Sequence, residues 1–231
     1  MSLKLSTPLK VIVTGGLGVL GRSVGAVLAA HGAQVALVDR APKVDVPGMA
    51  CVLGGIDLGD VPSAAAALEL ATQTLGGMDA LVNVAGGFQW ETLEAGSIDT
   101  WDRLYAMNLR TAVIACREAL PYLRRQPSGR IVNVGALAAL KAGAGMGAYA
   151  ASKAGVMRLT ESLAEELKDH HITVNAVLPS IIDTPANRAD MPDADVSRWV
   201  STQSLGDVIA FLLSDQASAI TGACLPVAGR V

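Results

Sequence analysis

Residues 10–22 read KVIVTGGLGVLGR and decide the fold class. A short β-branched run, Lys10–Thr14, leads into a glycine-rich turn, and an apolar helical pattern follows directly. Gly16, Gly18 and Gly21 have the G-x-G-x-x-G spacing, in which glycines let the backbone approach a pyrophosphate at a helix N-terminus. In a chain with 24 glycines the spacing alone is weak, but its position between a strand and a helix is informative. The alternative is a tight strand–helix turn that binds no ligand.

The same order of strand, turn and helix recurs along the 231 residues. Strands that alternate with helices indicate right-handed crossovers and a parallel sheet. We therefore expect one α/β domain over residues 1–231, doubly wound and Rossmann-like. Its mostly parallel sheet should have six or seven strands with helices on both faces, and residues 1–9 should be a flexible lead. Strands are predicted over residues 10–14, 34–38, 49–52, 80–84, 130–134, 173–178 and 223–227, and helices over 19–31, 63–75, 99–124 (interrupted near Pro121) and 149–170.

The composition excludes several classes of protein. At 51% hydrophobic and 17% charged residues the chain is not disordered, and 3% aromatic residues suit parallel strands under tightly packed helices. A net charge of −3 provides no basic field for nucleic acid, and no apolar run is long enough to span a membrane. Because the first residues lack a secretory apolar core, we expect a soluble cytoplasmic protein.

The cysteines and histidines do not form a metal-binding pattern. Cys51, Cys116 and Cys224 lie far apart, so we expect reduced thiols and no metal site.

Asp39 ends the second predicted strand, where an acid can accept both hydroxyls of an adenosine ribose and repel a 2′-phosphate. This position favours NAD(H) as the cofactor. NADP(H) stays possible because Arg40 follows and can hold the same phosphate. The alternative for Asp39 is a turn or capping residue.

Tyr149 and Lys153 lie four residues apart at the start of a predicted helix and so share one face. A lysine ammonium beside the phenol would lower the pKa of Tyr149 and make it a proton donor near neutral pH. Together with the glycine-rich turn and Asn83-Val84-Ala85-Gly86, this pair makes the chain, from about Lys10 to Val227, resemble the short-chain dehydrogenase/reductase family.

The resemblance implies the following roles. Tyr149 is the catalytic acid/base, Lys153 lowers its pKa and holds the nicotinamide ribose, and Asn108 positions a water in the proton relay. The cofactor site implied is Gly15, Gly16, Leu17, Gly18, Val19, Leu20, Asp39, Arg40, Asp57, Leu58, Asn83, Ala85, Gly86, Tyr149, Lys153, Pro179, Ile182 and Thr184, and the candidate substrate residues are Gly87, Phe88, Ala136, Met146 and Asn187. The family also implies a homodimer or homotetramer built on the two longest helices.

The sequence departs from the family pattern at three positions. Ala136 stands where the family has its catalytic serine, Val19 replaces a small residue of the glycine motif, and Ser180 replaces the glycine of a Pro-Gly pair. The dihydropteridine reductase branch also has alanine at the serine position. The stretches that resemble that branch are residues 135–140, 145–149, 178–179, 183–188, 191–195 and 85–88.

The sequence leaves three candidate functions for this protein. The first is reduction of a quinonoid dihydropterin, in which hydride addition forms no localised alkoxide and a serine donor is less needed. The second is a short-chain carbonyl or 3-oxoacyl reductase, or an alcohol dehydrogenase, working without the serine. The third is a nucleotide-sensing scaffold without turnover. We also expect Trp90 and Trp199 to be packing residues.

Overall fold

The computed structural model describes residues 8–231 and contains seven strands: β1 Lys10–Thr14, β2 Gln34–Val38, β3 Cys51–Leu53, β4 Ala80–Asn83, β5 Gly129–Val134, β6 Ile172–Pro179 and β7 Cys224–Val227. All seven are parallel and form one sheet with the order β3-β2-β1-β4-β5-β6-β7. From β1 the chain first adds strands on one side of the sheet and then, from β4 onward, on the other. The order therefore reverses between β1 and β4, which opens a crevice there at the carboxyl ends of the strands. The predicted doubly wound sheet is confirmed, with seven strands.

The elements lie close to their predicted positions. The helices are α1 Val19–Ala30, α2 Val61–Leu75, α3 Ile98–Tyr105, α4 Thr111–Leu123, α5 Gly147–Leu167, α6 Pro185–Asp190 and α7 Thr202–Leu213. The first seven residues of the predicted flexible lead, 1–9, lie outside the described residues.

Two differences concern the helices. The helix predicted over 99–124 is three pieces, because a π-helical turn, Ala106–Arg110, separates α3 from α4. Sequence reasoning missed α6 and α7, although each begins after a capping hydroxyl. Thr184 accepts the amide N–H of Asn187, and Ser201 accepts that of Ser204.

Apolar residues cover both faces of the sheet. On one face α1 packs over β1 and β2 and α7 packs over β5 and β6, and a β-carbon at Gly206 of α7 would lie 2.8 Å from Val27 of α1. On the other face α2, α4 and α5 bury Leu68, Leu123 and Leu167. Because both faces are covered, the polar groups that remain accessible at the carboxyl ends of the strands can form a site.

Candidate active site

A cleft of about 1980 Å³ runs along the carboxyl edge of the sheet, from the turn after β1 to α6. The segments that follow β1, β2, β4, β5 and β6 all contribute to it. It therefore spans the topological switch between β1 and β4, where open α/β sheets bind their ligands.

The glycine-rich turn forms one end of the cleft. Gly15 has a φ of +64°, and a β-carbon at Gly21 would overlap the Gly15 carbonyl oxygen. The backbone therefore folds back on itself more tightly than any larger residue allows. Gly18 is the N-cap of α1, and neither a capping side chain nor an acidic residue occupies the first turn. The first amide N–H groups of α1 thus remain available to an anionic ligand.

Asp39 links the end of β2 to this turn. Its carboxylate accepts the amide N–H of Leu17 at 2.8 Å and that of Ala41 at 2.8 Å. Each oxygen keeps a further lone pair that can accept a hydroxyl. The carboxylate therefore orders the turn and lines the same cleft.

Asn83 does not line the cleft, contrary to the prediction. It is buried inside the sheet, where its side-chain nitrogen donates to Asn133 at 2.9 Å and its oxygen accepts from Thr14 at 3.2 Å. Asn133 in turn donates to Thr160 of α5 at 2.9 Å. A buried amide must find partners, and these partners tie β1, β4, β5 and α5 together beneath the site.

Gly16 also lies outside the cleft wall. It is buried against β2, and a β-carbon there would lie 2.6 Å from Leu37. It acts through packing, because no larger residue would let β1 and β2 pack as they do.

Asn108 lies in the π-helical turn and is 1% exposed. Its oxygen accepts the Gly87 amide N–H at 2.8 Å, and its nitrogen donates to the Gly87 carbonyl at 3.0 Å and to the Ser152 hydroxyl at 2.9 Å. A β-carbon at Gly86 would lie 2.6 Å from the Asn108 oxygen, so only glycine fits there. The side-chain amide therefore holds the segment after β4 against α5 from behind the cleft.

Tyr149 and Lys153 meet in the cleft, as expected from their spacing. The Lys153 ammonium donates to the Val134 carbonyl at the end of β5 at 2.8 Å. Burial lowers the pKa of Lys153 to about 8 and raises that of Tyr149 to about 12. The structure therefore gives a raised pKa for Tyr149 where a lowered one was predicted, because burial disfavours the charged phenolate. Tyr149 keeps its proton at neutral pH and can donate it.

Ala136 lines the cleft and is 4% exposed, directly after β5. The whole stretch GALAAL over residues 135–140 has no polar side chain. No hydroxyl of this stretch can therefore assist Tyr149 with a charge that develops on a substrate oxygen.

Comparison with known proteins agrees with this geometry. A family model described as short chain dehydrogenase matches residues 9–195. The chain belongs to the short-chain dehydrogenase family. A trans-4-hydroxycyclohexanecarboxylate dehydrogenase from Sinomonas cyclohexanicum is 31% identical over 94% of this chain and 90% of its own length.

Two solved structures show the same fold. The 3-ketoacyl-(acyl-carrier-protein) reductase from Brucella melitensis, complexed with NADH, has a TM-score of 0.86 at 28% identity over 97% of this chain and 98% of that one. A short chain dehydrogenase from Burkholderia cenocepacia, in complex with NADP, has a TM-score of 0.88 at 30% identity over 96% and 97%. This dehydrogenase is therefore an NAD(P)-dependent oxidoreductase; its preference between the two cofactors, and the dihydropteridine reductase branch, stay predictions.

Apart from Gly16, Asn83 and Asn108, every residue predicted for the site of this dehydrogenase lines the cleft. The predicted substrate residues Gly87, Phe88, Ala136, Met146 and Asn187 all do so.

Sequence reasoning missed several residues of the cleft wall. Arg110 lines the cleft, and its guanidinium donates to the Gly59 carbonyl, which ties the π-helical turn to the loop after β3. Trp90, predicted as a packing residue, is 59% exposed in the cleft, whereas Trp199 is buried as expected. The signal for Trp90 was its place just after Gly86-Gly87, at the carboxyl edge of β4.

Helix α6 closes the other side of the cleft. Arg188 forms a bidentate ion pair with Asp183, at 2.6 and 2.8 Å, and Asn187 donates to the Ile182 carbonyl at 2.8 Å. Both contacts join α6 to the segment that precedes it, so α6 and that segment form one wall.

Within residues 8–231 the structure contains no cluster of three or more metal-ligating side chains. No helix in that range is long and apolar enough to cross a membrane. All three cysteines are free thiols, as expected.

Proposed function

We propose that this dehydrogenase interconverts a carbonyl group and the corresponding alcohol, using a nicotinamide cofactor and Tyr149 as the proton carrier. The observation that carries the proposal is that Tyr149 lines the same cleft as the glycine turn and Asp39. Two similar proteins support it, since one is a trans-4-hydroxycyclohexanecarboxylate dehydrogenase and the other a 3-ketoacyl-(acyl-carrier-protein) reductase.

The residues present suit the cofactor. The uncapped amides at the start of α1 would hold the pyrophosphate, and Asp39 would accept the adenosine ribose hydroxyls and disfavour a 2′-phosphate. NAD(H) is therefore the proposed cofactor, and Arg40 keeps NADP(H) as the alternative. Bound near Tyr149 and Lys153, the nicotinamide would supply or accept the hydride.

The protein supplies the proton. During reduction the hydroxyl of Tyr149 donates its proton to the oxygen of the carbonyl group while the carbon receives the hydride. Lys153 lies one helical turn further along α5 and, with a pKa of about 8, is protonated at neutral pH. We propose that it returns a proton to Tyr149 and holds the nicotinamide ribose, while Asn108 keeps Gly87 and the segment after it in place.

Ala136 favours a second candidate, the reduction of a quinonoid dihydropterin. With no hydroxyl at Ala136, a localised alkoxide would find no side-chain donor in residues 135–140, the stretch that follows β5. In a conjugated pterin the charge spreads into the ring system, so the missing donor costs less.

One assay separates the two candidates. Reduced-cofactor oxidation is followed with a methyl ketone and with chemically generated quinonoid dihydropterin. If the substrate is a carbonyl compound, Ala136→Ser restores an oxyanion donor and raises ketone reduction by up to ~10², and Tyr149→Phe nearly abolishes it. Ala138→Ser is the matched control, since it adds a hydroxyl elsewhere on the same wall. Pterin turnover that survives both Ala136→Ser and Tyr149→Phe would support the second candidate. Bound cofactor without turnover of either substrate would indicate a nucleotide-sensing scaffold.

For partners and location we propose a cytoplasmic homodimer or homotetramer with a small-molecule substrate and no nucleic-acid or membrane partner. Val113 on α4 is 40% exposed, and Ile98 and Tyr105 on the adjoining α3 are also exposed. Such apolar residues on helices favour burial against a second copy. Light scattering should show a dimer or tetramer that Val113→Arg dissociates; a single 23.7 kDa particle for the unmodified chain would contradict this.

A further inference from the structure

Trp90 is an exposed aromatic residue that the structure nevertheless holds in one orientation. Its indole N–H donates to the Ala144 carbonyl at 2.9 Å, and the amide N–H of Glu91 donates to the Gly145 carbonyl at 2.8 Å. Gly145 has a φ of +72°, and a β-carbon there would overlap the indole ring. One side of the ring therefore lies on the backbone, while 59% of the residue stays exposed.

The segment that leads to Trp90 is also fixed. Asn108 binds both backbone groups of Gly87, and the Arg103 guanidinium donates to the side chain of Gln89. A β-carbon at Gly87 would lie 2.5 Å from the sulfur of Met107, so this segment packs closely against the π-helical turn. Residues 87–91 thus form a tethered wall instead of a mobile loop.

Phe88 brings this wall to the reacting group. Its ring meets the Tyr149 ring edge-to-face, with centroids 4.9 Å apart and planes at 89°, and 54% of the residue is exposed. Phe88 and Trp90 are two of only eight aromatic residues in the chain, and both line the cleft. Exposed aromatic side chains that are held rigid lose little entropy on binding and gain most from a flat apolar partner.

We infer that Phe88 and Trp90 form an aromatic wall that selects substrates in which a flat ring is attached to the reacting carbon. This rests on the proposed function, since it gives the substrate class of the same site. The ring would pack against Phe88 and Trp90 while the reacting oxygen meets the hydroxyl of Tyr149. An open alkyl chain of equal carbon number lacks the π face and loses more freedom when bound.

The test compares two methyl ketones of equal carbon number, acetophenone and methyl hexyl ketone. Each is titrated calorimetrically into the protein saturated with oxidised cofactor, so that binding is measured without turnover. We expect acetophenone to bind about tenfold more tightly. Trp90→Leu and Phe88→Leu should each remove most of this difference, whereas Phe211→Leu, at a partly buried aromatic residue outside the cleft wall, should leave it unchanged.

Equal affinities in the unmodified protein, binding of neither ketone, or a preference that survives both leucine variants would overturn the inference. Turnover is measured separately with reduced cofactor. A ring preference in binding without reduction of either ketone would leave the aromatic wall standing and reject the proposed function. Reduction of both ketones without tighter binding of acetophenone would support the proposed function and reject the aromatic wall.

Discussion

Asn108 brackets Gly87 with both ends of its side-chain amide, accepting its N–H at 2.8 Å and donating to its carbonyl at 3.0 Å. The same amide reaches the Ser152 hydroxyl, which donates to the Tyr149 carbonyl at 2.7 Å. One buried side chain thus connects the wall after β4 with the start of the helix that carries Tyr149. The position of the segment after β4 and the position of Tyr149 are therefore coupled.

Asn108→Ala should lower both stability and activity. It removes the hydrogen bonds to the half-buried backbone of Gly87 and to the buried Ser152 hydroxyl, which should lower the free energy of unfolding by about 2 kcal/mol. Denaturant unfolding measures this. Gln73→Ala, which removes only an exposed contact with Glu69 on α2, is the control and should change it by less than about 0.5 kcal/mol. Equal free energies of unfolding for Asn108→Ala and Gln73→Ala would show that the hydrogen bonds of Asn108 do not contribute to stability.

Gly18 and Gly21 should respond differently to alanine. A β-carbon at Gly21 overlaps the Gly15 carbonyl, so Gly21→Ala should destabilise the fold. At Gly18 the nearest atom is the same carbonyl at 3.4 Å, an ordinary contact, so Gly18→Ala should fold normally. Because Gly18 lines the cleft, its added methyl should weaken cofactor binding. Thermal unfolding measures the stability of the two variants, and titration measures their affinity for the cofactor. A Gly21→Ala variant as stable as the unmodified protein would contradict the close contact between Gly21 and the Gly15 carbonyl.

Asp39→Asn should narrow the preference for NADH over NADPH. The amide oxygen can still accept the Leu17 N–H, so the turn persists while the negative charge is removed. We expect the ratio of the NADPH dissociation constant to the NADH dissociation constant to fall about tenfold. Asp57→Asn, which removes a cleft charge elsewhere, is the matched control and should leave the ratio unchanged. Tighter NADPH binding by the unmodified protein would instead assign the discrimination to Arg40.

The pH dependence should report on Lys153. Reduction needs a protonated lysine to resupply Tyr149, so kcat/KM for reduction should fall above about pH 8. Stability should change the other way. The unfolded chain, with an ordinary lysine pKa of 10.5, binds more protons between about pH 8 and 10.5, so the free energy of unfolding gains a rising contribution there. Lys153→Met should remove that contribution. If the free energy of unfolding depended on pH identically in the variant and the unmodified protein, the lowered pKa of Lys153 would be contradicted.

The sequence by itself determined the sheet, its crossovers and most of the cleft. The stretch over residues 10–22 placed the nucleotide end, because strand, glycine turn and helix are local features of the chain. The spacing of Tyr149 and Lys153 likewise fixed their common face, since four residues make about one helical turn. Ala136 was readable for the same reason, as a position counted back from Tyr149 along the chain.

Only the tertiary structure decided which polar groups are accessible. Asn83 looked like a ligand residue, but its neighbours across the sheet are Asn133 and Thr14, and such partners appear only when strands pair. The pKa of Tyr149 rises because packing buries it, a quantity that no spacing reveals. Trp90 lies in the cleft because a loop far along the chain offers Ala144 and Gly145 to its ring. Burial and long-range contacts, unlike spacing, exist only once the chain has folded.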